Sequence, residues 1–242
     1  MCYHLSLFQN MRYLQQRFGA VFGDPGSYEP SYHRAAFSSP AHPVIADDDP
    51  TRIRAFEWGL IPRWVKDDEQ AREIRKGTYN AKAETVFRKP SFRSSIKDRR
   101  CLVLADGFFE WQHLDGKKYP HYIRLKNREA FAMAGIWDEW MGGGKPVRTF
   151  SVVTTEASPM MARVHNTKKR MPVILHRQDE RRWLDRGFSG EDVKALLRPY
   201  DDGELEAYEV APLSGAGRAR DGPGAIAPAD RPALRPGQKQ LF

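Results

Sequence analysis

Cysteine is scarce in this chain. Only Cys2 and Cys101 occur among its 242 residues. No CxxC pair is present, which excludes a zinc site built on paired thiolates and leaves no disulfide framework. Long apolar runs are also missing. No stretch approaches the roughly 18 apolar residues needed to span a bilayer as a helix, so no membrane segment is expected. The first residues, Met1-Cys2-Tyr3-His4-Leu5, lack a basic region followed by an apolar one, so no secretory leader is expected. These absences point to a soluble, cytoplasmic protein. There is no internal repeat, which argues against a solenoid.

What is present is positive charge. Lys and Arg number 39 against 31 Asp and Glu, for a formal net charge of +8. Such an excess favours an anionic partner, and nucleic acid is the commonest one, bound by phosphate neutralisation. A basic protein with no polyanion ligand is the plainer alternative. Forty per cent of residues are hydrophobic and 12% aromatic, enough for a buried core in a chain of this length.

Short runs rich in β-branched and aromatic residues recur at 54–61, 101–111, 121–125, 130–137, 148–154 and 172–176. Asp115-Gly116 and Gly142-Gly143-Gly144 have the composition of hairpin loops. Helical patterns are fewer: 11–18, one or two short helices within 84–96 around Pro90, 179–184 and 190–197. The balance predicts an α+β single domain with a mainly antiparallel, barrel-like β core and peripheral short helices. That domain should occupy residues 1–213. From 214 to 242 Gly, Pro, Ala and Arg dominate, and a flexible basic tail is expected.

Cys2 carries the most distinctive chemistry. If Met1 is removed, the new terminus holds an amine and a thiol on adjacent carbons. The amine forms a Schiff base with an aldehyde and the thiol closes onto it, giving a thiazolidine. Such an amine titrates at about 8 and a thiol at about 8.5, so reactive forms exist near neutrality. By position alone, a cysteine at a frayed terminus is equally a chance residue. Cys101 lies in an apolar run and reads as a small core residue.

Four further segments offer polar groups. In Tyr79-Asn80-Ala81-Lys82-Ala83-Glu84-Thr85, Asn80 either orients a substrate oxygen or caps a following helix, and Lys82 suits a phosphate. In Ala105-Asp106-Gly107-Phe108-Phe109-Glu110-Trp111, Glu110 is either a proton carrier with a raised pKa or a surface carboxylate. In Val164-His165-Asn166-Thr167-Lys168-Lys169-Arg170, His165 stands beside three basic residues that could hold phosphates, or belongs to a solvated loop. In Trp58-Gly59-Leu60-Ile61-Pro62-Arg63-Trp64, Trp58 reads as core, while Trp64 is open to base stacking.

Together these segments resemble the SOS-response-associated peptidase (SRAP) family of abasic-site cross-linking proteins. Its features are Met-Cys at the start, WGLIPxW, NAxAET, ADGFxEW and a His shortly before RMPVIL, and all occur here in family order. The resemblance covers roughly residues 2–212. It implies a barrel-like antiparallel fold with a positive groove for single-stranded DNA, and a damage-repair role in the SOS response. It implies Cys2 as nucleophile, Asn80 orienting the terminus and the opened sugar, Glu110 handling protons, and His165 assisting ring opening. It implies lyase-type Schiff-base chemistry, autoproteolytic (hydrolase) removal of Met1, and no metal or organic cofactor. His4, Trp64, Lys82, Lys89, Arg93 and Arg170 are the expected contacts to DNA. The chain departs from the family where Tyr3-His4 replaces Gly-Arg, Lys82 replaces Arg, and residues 32–37 replace an Asn-Ala-Pro segment.

The end of the chain, Gln238-Lys239-Gln240-Leu241-Phe242, resembles short sliding-clamp-binding motifs; Gln238, Leu241 and Phe242 would dock in an apolar pocket. The expected partner is single-stranded DNA carrying abasic sites, bound by a monomer that is nucleoid-associated when on DNA. Two other readings stand beside this one: an N-terminal-nucleophile amide hydrolase, and a non-catalytic single-stranded DNA-binding module.

Overall fold

The computed structural model describes residues 2–213 and 221–229. Among these residues the strands are β1 (His4–Leu7), β2 (Val21–Phe22), β3 (Ser31–Ala35), β4 (Ala41–Ala46), β5 (Asp49–Trp58), β6 (Asn80–Lys82), β7 (Arg100–Ala105), β8 (Gly107–Leu114), β9 (Lys117–Leu125), β10 (Phe131–Gly142), β11 (Lys145–Glu156), β12 (Arg170–Pro172), β13 (Ile174–Leu175) and β14 (Leu205–Glu209). The helices are α1 (Met11–Phe18), α2 (Asp68–Arg75), α3 (Ser95–Asp98), α4 (Pro159–Val164), α5 (Arg177–Leu184) and α6 (Gly190–Leu196). No helix among them is long and apolar enough to cross a membrane.

Five strands close into a ring in the order β5-β4-β7-β10-β11. The parallel pairing of β11 with β5, Thr149 opposite Glu57 and Phe150 opposite Trp58, completes it. A second sheet, β14-β9-β8-β1-β3, is antiparallel throughout. The α+β class with a barrel-like core and short helices at its periphery is therefore the observed one.

Alternation along the barrel strands divides the core. Cys101, Val103 and Ala105 of β7 join Phe56, Trp58, Met133 and Phe150 in a cluster that continues into the second sheet through Leu5, Phe108 and Ile123. Leu102 and Leu104 face the other way, into a cluster completed by Leu14 of α1, Trp183 of α5 and Val193 of α6. Full burial of side chains of this size contributes about 2–3 kcal/mol each. Cys101 is thus a core residue.

The run 101–111, expected as one strand, is two strands in two sheets. Asp106 marks the break, accepting hydrogen bonds from the backbone N–H groups of Phe8 and Gln9 (2.5 and 3.1 Å). Gly107 is required immediately after it, because a Cβ there would lie 2.3 Å from the Tyr122 ring. Both hairpin loops are present. Leu114 pairs with Lys117 across Asp115-Gly116, and Gly142 pairs with Lys145 across Gly143-Gly144, with positive φ at all four turn residues.

Two expectations fail. Of the one or two short helices expected within 84–96, α3 begins only at Ser95, and residues 84–94 form successive turns: i→i+4 bonds such as Val86 N to Lys82 O alternate with i→i+3 bonds such as Arg88 N to Thr85 O. Pro90 has no N–H to continue a ladder. Residues 221–229, inside the stretch read as a flexible tail, pack on the second sheet. Asp221 accepts from Ser31 Oγ, Tyr32 N and His33 N of edge strand β3 (2.9, 2.6 and 3.0 Å). Ala225 is fully buried in a cluster with Phe109, Tyr122 and Val210.

Candidate active site

Cys2 enters the structure just ahead of β1. That strand pairs with β8 so that Leu5 opposes Phe108 and Ser6 opposes Gly107. Continuing the register brings Tyr3 opposite Glu110, with Cys2 one step beyond. Pairing of β1 with β8 therefore delivers the second residue of the chain to the carboxylate of residue 110. Cys2 is wholly buried. Burial first, and the negative field of Glu110 second, push its thiol far above the ordinary range. As placed here, with residue 1 ahead of it, the sulfur keeps its proton.

Glu110 is 4% exposed, and burial raises its carboxyl to about 7. It is not the surface carboxylate that alternation also allowed. His165 ends α4, a helix whose first turn is fixed by Ser158 and by Asp202, which accepts from Met160 N (2.7 Å). The His165 ring is buried and approaches Glu110, with Nδ1 3.7 Å from Oε1. Nδ1 also lies 2.9 Å from the Arg170 carbonyl oxygen. A carbonyl only accepts, so Nδ1 carries the proton and Nε2 is the basic nitrogen. Burial lowers the imidazole to about 4. The pair is therefore no ion pair at neutral pH: the imidazole is uncharged, and the carboxyl is poised between its two forms.

The loop after His165 is fastened to β8. The side-chain amide of Asn166 donates to His113 O (2.7 Å) and accepts from His113 N (3.0 Å), copying a strand partner. This staple was not singled out from sequence. The Asn-Thr-Lys-Lys stretch looks like loop composition, and its partner is 53 residues away.

Asn80 is in strand β6, paired parallel with β11 opposite Val152, and does not cap a helix. Its neighbour Tyr79 is held by its carbonyl, which accepts from Trp58 Nε1 at 2.9 Å. The Asn80 side chain is buried, and among the described residues neither its amide oxygen nor its nitrogen has a hydrogen-bond partner. Buried amides are nearly always bonded, which makes this one a candidate to hold a ligand. Tyr3 and Tyr79, the chain neighbours of Cys2 and Asn80, meet edge to face at 6.2 Å, and Tyr79 shares the apolar cluster of Cys2.

The groups proposed from sequence for DNA contact divide in two. Lys82, Lys89 and Arg93 are exposed, and Trp64 is 49% exposed. His4 is stacked on His33 with ring centroids 5.0 Å apart, and burial lowers it to about 3, so it is an uncharged hydrogen-bonding group. Arg170 points inward. Its guanidinium donates to both Glu84 oxygens (2.6 and 3.0 Å) and to Thr154 O (2.6 Å). Phe37, which sequence reasoning left aside, is 62% exposed and stacks on Tyr3 at 5.1 Å. No cluster of His, Cys, Asp and Glu suited to a metal occurs among the described residues.

A family model described as SOS response associated peptidase (SRAP) matches residues 1–215. The chain belongs to this family. Its SRAP relatives include abasic site processing protein YoqW of Bacillus subtilis, 38% identical over 217 residues, covering 88% of this chain and 93% of that protein. Abasic site processing protein HMCES of Xenopus tropicalis is 31% identical over 211 residues, covering 74% of this chain and 61% of that protein. A crystal structure of a protein from Bacteroides thetaiotaomicron has a TM-score of 0.87 at 36% identity, covering 94% of this chain and 100% of that one. A Bordetella bronchiseptica protein, 24% identical with a TM-score of 0.75, shares the fold. The SRAP motifs thus lie on neighbouring elements: Cys2 just ahead of β1, Glu110 on its partner β8, Asn80 on β6, and His165 between α4 and β12.

Proposed function

We propose that the chain captures abasic sites in single-stranded DNA and that Cys2, once Met1 has been hydrolysed away, joins the lesion as a thiazolidine. Relatives named abasic site processing proteins support the substrate class. The observation that carries the reading is the approach of Cys2, Glu110 and His165, with a carboxyl raised to about 7 as the group between them.

The chemistry balances without an outside reagent. The α-amine of Cys2 attacks the C1′ aldehyde of the ring-opened sugar. Glu110 in its acid form donates a proton to the departing hydroxyl, water leaves, and an imine remains. The Cys2 sulfur then adds to the carbon of this imine, which still carries its proton on nitrogen, and the thiol proton returns Glu110 to its acid form, leaving a neutral thiazolidine. A neutral thiol is the right ground state here, because the carboxylate formed in the preceding step is its base. His165 Nε2 takes and returns the proton needed to open the deoxyribose ring. The Asn80 amide holds a sugar oxygen. Lys82, Lys89 and Arg93 meet phosphates, Trp64 stacks a base, and His4 hydrogen-bonds nearby. The chain acts as a monomer in the cytoplasm, shielding the lesion during DNA repair. Tethering to a sliding clamp through Gln238, Leu241 and Phe242 belongs to the same proposal. Those residues lie outside the described ones, and deletion of 238–242 with clamp binding unchanged would end that part.

A denaturing gel tests the proposal. Protein is mixed with a single-stranded oligonucleotide bearing one abasic site. A heat-stable shifted band that disappears in Cys2→Ala is expected. Its absence from the wild type, or its persistence in Cys2→Ala, overturns the reading.

A further inference from the structure

Strand β1, with Cys2 just ahead of it, lies between β8 and β3. On the β3 side its pairing is irregular. Leu5 opposes Arg34 and Leu7 opposes Ser31, so Tyr32 and His33 together face Ser6. This is a β-bulge, which takes backbone groups out of the ladder and re-aims the side chains it carries. Tyr32 stacks on Phe8 with ring centroids 4.5 Å apart. His33 stacks on His4, with its Nε2 2.9 Å from His4 Nδ1, and meets Phe109 edge to face. One carboxylate fills the bulge. Asp221 Oδ1 accepts from the N–H groups of Tyr32 and His33 (2.6 and 3.0 Å), and Oδ2 accepts from Ser31 Oγ (2.9 Å). The segment that carries it is itself fixed. Ala225 is buried beside Phe109, Tyr122 and Val210. The Ile226 carbonyl accepts from the Tyr208 hydroxyl (2.8 Å), and Ala229 N donates to Glu209 O (2.9 Å). Asp221 lies beyond residue 215, where the match to the SRAP model ends.

We infer that Asp221 is a positioning residue for the reactive end of the chain: by filling the bulge it holds β3, and through β3 the Tyr3–His4 stretch that places Cys2. The link from β3 to that stretch is short. Ala36 N donates to Tyr3 O (2.8 Å), His4 opposes Ala35, and the His4–His33 pair joins the two strands by side chain. β3 is the edge strand of its sheet, so its register on that side is set by no further strand. Without the carboxylate, two adjacent N–H groups turn to water and the bulge is free to shift. Asp221 is exposed, so Asp221→Ala removes no core packing and should fold. Asp221→Asn retains Oδ1 as acceptor for both amides, and its Nδ2 can donate to Ser31 Oγ. The two variants therefore separate hydrogen bonding from charge. The inference rests on the site proposed above, but the fastening of β3 is a property of the folded protein and needs no reaction.

The experiment compares wild type, Asp221→Ala and Asp221→Asn. Hydrogen exchange is read at the Tyr32, His33 and Ala36 amides. Adduct formation with a single-stranded abasic oligonucleotide is followed under single-turnover conditions, giving the rate at saturation and the half-saturating concentration. Asp221→Ala should exchange the three amides about tenfold faster. Its rate at saturation should fall about fivefold, because a slightly misplaced reacting group is costly, while half-saturation stays unchanged. Asp221→Asn should remain within about twofold of wild type in every reading. Wild-type exchange or the full rate in Asp221→Ala overturns the inference. So does a loss confined to half-saturation, which would make Asp221 a DNA contact. An Asp221→Asn as impaired as Asp221→Ala also overturns it, since the effect would then be one of charge. A wild type that forms no adduct, with exchange accelerated in Asp221→Ala, refutes the proposed chemistry and leaves the fastening of Tyr3–His4 standing.

Discussion

Glu110 Oε1 and His165 Nδ1 stand 3.7 Å apart with the usual order of their acidities reversed. Burial holds the carboxyl near 7 and the imidazole near 4. Between those values the site contains a carboxylic acid beside a neutral ring. In an NMR titration His165 should stay uncharged from pH 8 down to pH 5, while the Glu110 carboxyl carbon titrates near 7. Glu110→Gln should slow adduct formation by about a hundredfold, as expected for a positioned proton carrier. A His165 ring that protonates near 6.5 would contradict this arrangement.

Asn80 should show stability and function in opposition. Among the described residues its buried amide has no hydrogen-bond partner, and an unsatisfied polar group costs about 1–3 kcal/mol. Asn80→Ala is therefore expected to keep or raise the melting temperature while cutting adduct formation at least tenfold. A variant that melts well below wild type and reacts normally would show that the amide is structural.

The Asn166 staple should matter for both. Asn166→Ala removes two hydrogen bonds to His113 and should destabilise the fold by about 1–2 kcal/mol in chemical denaturation. It should also slow the reaction, because the loop carrying His165 is released from β8. Asn166→Asp keeps the acceptor and loses the donor, and should fall between the two. Wild-type kinetics in Asn166→Ala would remove the staple from the mechanism.

Asp106 offers a test by linkage. Burial raises its carboxyl from 3.8 to about 6. A carboxyl raised on folding gives stability that is complete below the unfolded value and is lost as pH rises through the folded one. Wild type should therefore gain on Asp106→Asn as pH falls from 6 to below 4, by an amount on the order of 3 kcal/mol. Melting curves of the pair across that window decide it. A constant difference, or one that shrinks on acidification, would contradict the assignment.

Local signals in the sequence were legible, and distant ones were not. The pattern at 11–18 coincides with α1, and the Asp-Gly and Gly-Gly turns mark their hairpins, because each depends on neighbours a few residues apart. The break at Asp106 was hidden: its cause is the backbone of Phe8 and Gln9, nearly 100 residues away. Asn80 looked more like a cap because β6 forms through parallel pairing with the distant β11. The ion pair of Arg170 with Glu84 was hidden because the two are 86 residues apart. The four candidate groups were picked out through ordered motifs. Composition could not show that Cys2 would be buried, since nothing local distinguishes it from a frayed end.

The most direct test is the intact mass of the adduct formed with an abasic oligonucleotide, taken without reductant. The expected mass is that of the chain lacking Met1 plus the oligonucleotide, less one water, because imine formation releases water and the thiol addition releases nothing. The adduct should survive denaturation and be absent from Cys2→Ala. A product that retains Met1, or one that survives only after reduction of an imine, would contradict thiazolidine capture by Cys2.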